Sequence, residues 1–204
     1  MTGNHRDKAI AGHAEDGTGR RGSRSGIAAW AAAALLLLLP SIAMQFTNEV
    51  VWDLADFALD GALLVGTGVT FEAAARKTNN SAYRAAVGVA LAAAFILVWV
   101  NGAVGVIGTE SNDANLMYGG VLAVGVIGAL IARLRAHGMA RAFFATALAQ
   151  ALVAVIALVA GLGSTAPIWP RDILMLTGFF VALWLGSAWL FRKAAREEAE
   201  RGAA

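Results

Sequence analysis

The chain has 204 residues, of which 58% are hydrophobic and only 15% charged, with a formal net charge of +2. Water-soluble domains carry about 25% charged residues, and a mean hydropathy of +0.64 leaves more apolar surface than one core of this size can hide. Cysteine is absent, which excludes disulfides, thiolate metal sites and cysteine nucleophiles, and so small a net charge argues against nucleic-acid binding.

Residues 1–25 are polar, rich in glycine and charge, and lack apolar periodicity. They predict a disordered cytoplasmic tail. Six apolar runs follow, at residues 27–44, 51–75, 82–107, 115–134, 139–162 and 172–191. Each approaches the ~20 residues that a helix needs to cross the hydrocarbon layer. The expected fold is therefore all-α: an integral membrane protein with a six-transmembrane-helix bundle over residues 26–193. Residues 194–204 continue the last helix as a charged cytoplasmic extension.

The first run also carries signal-peptide features. Arg21 and Arg24 precede it, and Pro40 with Ser41 and Ala43 closes it. We expect it to be retained, because the second run then gains a hairpin partner. Cleavage would leave five spans in the same orientation.

Basic residues set that orientation. Arg20, Arg21 and Arg24 precede the first span, and Arg76, Lys77 and Arg84 flank the second loop. Arg133, Arg135 and Arg141 flank the fourth loop, and Arg192, Lys193, Arg196 and Arg201 follow the sixth span. If six helices alternate, all of these share one side and Arg171 lies on the other. The positive-inside rule then puts both termini in the cytoplasm.

The last four spans read as two copies of one hairpin. Arg84, Ala85, Ala90, Leu91, Ala92, Ala94 and Val98 match Arg141, Ala142, Ala147, Leu148, Ala149, Ala151 and Val155. Leu116, Met117, Gly120 and Gly128 match Leu174, Met175, Gly178 and Gly186 in nearly the same register. The first hairpin matches through Gly61, Gly68 and the pair Arg76-Lys77, which makes three repeated helical hairpins. Repeats of this kind occur in transporters, and also in duplicated proteins without a transport role. Glycines such as Gly125 and Gly128 fit close helix packing within one bundle.

The candidate site lies on the second span. Glu49, Asp53, Asp56 and Asp60 are spaced four, three and four residues apart. At about 100° per residue they fall within roughly 60° of one another, a single stripe. A carboxylate at the centre of a membrane helix costs about 2.5–3.5 kcal/mol. Two of them at about 6 Å repel by roughly 0.7 kcal/mol in water and roughly 3 kcal/mol at an effective dielectric of about 20. Cation binding, protonation or hydration relieves this. The structural alternatives are solvation of Glu49 and Asp53 at the interface, a helix-terminus role for Asp53, and protonated, hydrogen-bonded Asp56 and Asp60.

The third loop, 108–115, adds Glu110 and Asp113 on the same outer side, and Asn101 sits in the third span near the depth of Asp60. These hard oxygen donors suit Ca²⁺, Mg²⁺ or Mn²⁺ better than zinc or copper. The loop lacks EF-hand spacing. Its structural reading is a polar turn with Asp113 or Asn112 capping the fourth helix. Elsewhere, Glu72 and Arg76 are spaced for an ion pair, and Gln150 is spaced as helix–helix glue. His5, His13 and His137 all lie outside the spans, which argues against haem ligation.

The stretch VWVNGAVGVIGTESNDANLMYGG, residues 98–120, resembles a segment of a small uncharacterised group of bacterial multi-pass inner-membrane proteins. The resemblance extends over residues 48–196. It implies a localisation and a fold but no activity, and assigns no catalytic residue. The sequence thus points to a non-enzymatic protein of the bacterial inner membrane. Its outward-facing acidic cavity would bind a cation or protons, as in a small transporter, a channel-like protein or a sensor. The rival is a structural or accessory subunit that binds a partner helix. The expected partners are the lipid bilayer and a second copy or another membrane protein. No cofactor is expected beyond a divalent cation of unknown identity.

Overall fold

The computed structural model describes residue 42 and residues 54–203. The tail at 1–25 and the first span apart from Ile42 lie outside the described residues. The described elements are all helical: α1 (Leu54–Lys77), α2 (Ser81–Ala103), a one-turn 3-10 helix (Asp113–Leu116) leading into α3 (Met117–Ile131), α4 (Ala136–Val159) and α5 (Arg171–Ala203). Among the described residues, α2, the 3-10 turn with α3, α4 and α5 are each long and apolar enough to cross a membrane. The chain divides into two compact units between residues 65 and 66, inside α1. The packing described next belongs to the unit from residue 66 onward.

There, α5 lies between α2 and α4, and α3 packs on α4. The buried face of α2 is Ala82, Tyr83, Ala86, Val87, Ala90, Ala93 and Leu97. That spacing is one stripe of a 3.6-residue helix. Its alanines let the α5 backbone approach closely enough for the Ser187 hydroxyl to donate to the Ala86 carbonyl at 3.0 Å. On the same face of α5, Phe143 of α4 stacks on Trp184 and Phe191, with ring centroids 5.9 and 5.6 Å apart. Tyr83 meets Phe191 edge-on at 5.1 Å. One aromatic cluster therefore joins three helices. Glycine makes the α3–α4 seam. A Cβ on Gly128 would stand 2.7 Å from Ala142 Cβ, and one on Gly125 would stand 3.3 Å from Thr146 Oγ1.

The helix ends depart from the apolar runs for local reasons. The third run extends to residue 107, yet α2 stops at Ala103 because the chain turns at Gly105 with φ +72. α4 begins at Ala136, three residues early, where Gly138 tucks against Ala132; a Cβ there would meet the Ala132 methyl at 2.7 Å. It ends at Val159, followed by Gly161 at φ +64. The Leu162 N–H then returns to the Ala157 carbonyl at 2.8 Å, and the Gly161 N–H to the Leu158 carbonyl at 3.3 Å. This pair of bonds is the Schellman closure of a helix. α5 runs on through the charged segment to Ala203, as expected, with Lys193 and Arg201 reaching Glu197.

The unit has two chemically distinct ends. At one, the Tyr83 hydroxyl donates to the Leu134 carbonyl at 2.8 Å, and Asn80 Nδ2 to the Ala194 carbonyl at 3.4 Å. Arg76, Lys77, Arg84, Arg133, Arg135 and Arg141 are exposed around it. At the other, the loops 104–112 and 160–170 cross where Gly163 meets Gly108. The flanks between these ends are apolar and exposed, with Val126, Leu130, Leu148, Leu152, Val155 and Trp189 all more than half accessible. An apolar exposed belt of this kind is a surface for lipid.

Candidate functional site

Of the acidic stripe, Glu49 and Asp53 lie outside the described residues. Asp56 lies in the first turn of α1, with its side chain outside the described set. Asp60 is described. It is 6% exposed, and its Oδ1 has no hydrogen-bond partner among the described residues. It is the seventh residue of α1, flanked by Leu59 and Gly61. It is the one buried position among the described side chains of α1. A buried carboxyl oxygen with no partner is costly unless a proton or cation satisfies it.

The outer loop uses its polar residues differently. Asn115 is buried, and its Oδ1 accepts from the Val106 and Ile107 N–H groups at 3.0 and 2.9 Å. Its Nδ2 donates to the Thr109 carbonyl at 2.8 Å. One side chain thus closes the turn after α2, and Gly105 is required beside it: a Cβ there would lie 2.5 Å from Thr109 backbone atoms and 2.8 Å from Asn115 Nδ2. Asn112 caps the 3-10 turn through the Ala114 N–H at 3.0 Å. The expected cap of the fourth span is therefore Asn112 acting on the 3-10 turn, while α3 itself starts after Leu116 with no side-chain cap. Glu110 and Asp113 are exposed. Asn101 is half-buried near the end of α2, with Oδ1 unpartnered among the described residues. No group of three or more His, Cys, Asp or Glu among the described residues is arranged to hold a metal ion.

Two other expectations on side chains can be placed. Arg76 and Glu72 form an ion pair at 3.0 Å, with both side chains exposed. Such a pair contributes little, about 0–1 kcal/mol. Gln150 is fully buried in α4, yet both of its amide atoms lack a partner among the described residues. Tyr118 on α3 and Thr177 on α5, not singled out by the sequence, are also buried, and neither hydroxyl has a hydrogen-bond partner among the described residues. A tyrosine within an apolar run was the only sequence signal for these two.

No family model, curated protein or solved structure matches the chain. The fold and its apolar surface place it among all-helical membrane proteins.

Proposed function

We propose that this is a multi-pass protein of the bacterial inner membrane, with both termini cytoplasmic, that responds to protons through Asp60 without catalysing a covalent reaction. The observation that carries this reading is the buried Asp60 carboxyl with an oxygen unpartnered among the described residues. One proton satisfies such a group. A divalent cation asks for more: Ca²⁺ takes about six to eight oxygen ligands. The exposed Glu110 and Asp113 and the occupied amides of Asn112 and Asn115 offer no converging set of donors. Membrane carboxyls that change protonation serve transport, gating or sensing.

The hairpin repeat gains support from burial. Of the seven buried residues of α2, Ala82, Tyr83, Ala86, Ala90, Ala93 and Leu97 match buried Met139, Ala140, Phe143, Ala147, Gln150 and Ala154 of α4, whereas buried Val87 matches the exposed Phe144. The orientation rests on the cluster of arginines at one end of the bundle. The bacterial inner membrane is the localisation that the resemblance of residues 98–120 implies.

A partner-binding subunit remains the second reading, favoured by one observation. Beyond Asp60, α1 exposes Val65, Val69 and Phe71 at 51%, 53% and 38%. A partner helix carrying a donor could lie along it.

The test is thermal stability of wild type and Asp60→Asn across pH, with and without Na⁺ or Ca²⁺. The proton reading predicts a pH-dependent gap between the two melting temperatures that neither cation alters. A gap that is constant with pH contradicts it, and a gap that follows the cation points to an ion site instead. Orientation is checked by single cysteines in this cysteine-free chain. Labelling from the outside at Asn79 or His137 would contradict cytoplasmic loops there.

A further inference from the structure

We propose that the face of α2 opposite its buried stripe binds an anionic phospholipid, with the lipid phosphate at Arg84 and Ser81 and an acyl chain along Phe71, Ala85, Gly88 and Val89. The structure has a groove of about 500 Å³ lined by these six residues. Ser81, Arg84, Ala85 and Gly88 share one helical face by their three- and four-residue spacing. The groove runs from a polar mouth at the arginine-rich end into an apolar trough. This is the polarity gradient of a phospholipid at the membrane interface.

The trough exists because its residues are small. Gly88 faces Phe71 of α1, and a Cβ there would touch the Phe71 ring at 3.4 Å. The matched face of α4 provides the contrast. Arg141, Ala142 and Thr146 occupy the corresponding turns, and there Gly125 and Gly128 of α3 fill the space against Ala142 and Thr146. On α2 no helix of the same unit fills it so closely.

Charge selects the occupant. Arg84 is exposed and makes no ion pair or side-chain hydrogen bond among the described residues, whereas Arg76 is paired with Glu72. A lipid phosphate supplies a counter-charge that no described residue gives Arg84, and its acyl chain supplies the apolar body. Arginine binds phosphate through a planar fork of donors. Ser81, one turn away on the same face, adds a hydroxyl.

The inference rests on the membrane reading, so the experiment separates the two. Full-length protein is reconstituted into phosphatidylcholine vesicles and floated on a density gradient. Failure to float overturns the membrane reading. Protein purified in detergent and stripped of lipid is then melted with phosphatidylglycerol, with phosphatidylcholine or with inorganic phosphate. The expected result is a rise of several degrees with phosphatidylglycerol, a smaller rise with phosphatidylcholine and none with phosphate. Arg84→Gln should remove the difference between the two lipids, Gly88→Leu should remove the rise itself, and Arg141→Gln should leave both intact. Equal effects of the two lipids on wild type overturn the site, as does an Arg84→Gln variant that keeps the full difference. Phosphate acting as strongly as phosphatidylglycerol would mean a free-anion site. A Gly88→Leu variant that melts far below wild type without lipid, with no lipid response in either, would mean that a protein segment fills the groove. Either outcome overturns the lipid assignment.

Discussion

Asn115 and Asp60 are both buried polar side chains in an apolar protein, and they are handled in opposite ways. Asn115 has its amide oxygen and nitrogen committed to the backbone of the turn that it closes. Asp60 has an oxygen with no partner among the described residues. A buried polar group with every bond made is part of the architecture, and removing it leaves its partners orphaned. A buried carboxyl with an oxygen that no described residue satisfies has no structural bond on that oxygen among those residues, and its burial is costly while it is charged. The outer loop looked richest in ligands by composition. Its geometry assigns Asn112 and Asn115 to structure, whereas Asp60, like Asn101 and Gln150, has a polar atom with no partner among the described residues.

The largest effect expected is at Asn115. Asn115→Ala strands the buried Val106 and Ile107 N–H groups and the Thr109 carbonyl. At about 1–3 kcal/mol for each orphaned group, the loss should reach roughly 3 kcal/mol or more in denaturant unfolding. A loss below about 1 kcal/mol would mean that water replaces the amide and that the contrast with Asp60 is false. Asn115→Asp sharpens the point. It keeps an acceptor for the two N–H groups but sets a carboxyl oxygen against the Thr109 and Ile107 carbonyls that Nδ2 serves. Its cost should therefore be smaller than alanine's only where low pH protonates it and restores a donor. A cost equal to alanine's at low pH as well would contradict this.

Asp60→Asn should change stability by about 1 kcal/mol or less in either direction at neutral pH. The shape is preserved and a poorly satisfied buried carboxyl is removed. A loss of several kcal/mol would show that Asp60 is structural after all, like Asn115. Smallest of all should be Glu110→Gln and Asp113→Asn, within roughly 0.5 kcal/mol, as for exposed side chains without committed partners. Loss of cation-dependent stability in either would return the outer loop to the site.

The helical class and the positions of the long spans were legible because apolar runs of membrane length leave few alternatives. The continuation of α5 past Phe191 was also legible, since Lys193, Glu197 and Arg201 keep a four-residue spacing. The ends of α2 and α4 were not. Apolar composition continues through Val106 and Ile107, and nothing in hydropathy reveals that an asparagine eight or nine residues on captures their N–H groups. In the candidate site, periodicity alone put Asp60 on a stripe with Asp56, and the insertion cost of a carboxylate argued that it turns away from lipid. Its burial agrees with that argument. What composition misjudged was the loop, because counting oxygen-bearing residues does not distinguish an amide bonded to backbone from one free to bind a ligand. Gln150, Tyr118 and Thr177 illustrate the same difficulty inside the bundle: whether a buried polar group has a partner depends on helix rotation, which the sequence pattern only weakly constrains.

The central claim is that Asp60 exchanges a proton within the folded protein. Infrared difference spectroscopy of the protein in lipid, titrated over pH, observes this directly through the carboxylic-acid carbonyl stretch. The account predicts a carbonyl band that appears and disappears with pH in the wild type and is missing from Asp60→Asn. Identical difference spectra for the two proteins throughout the titration would contradict it.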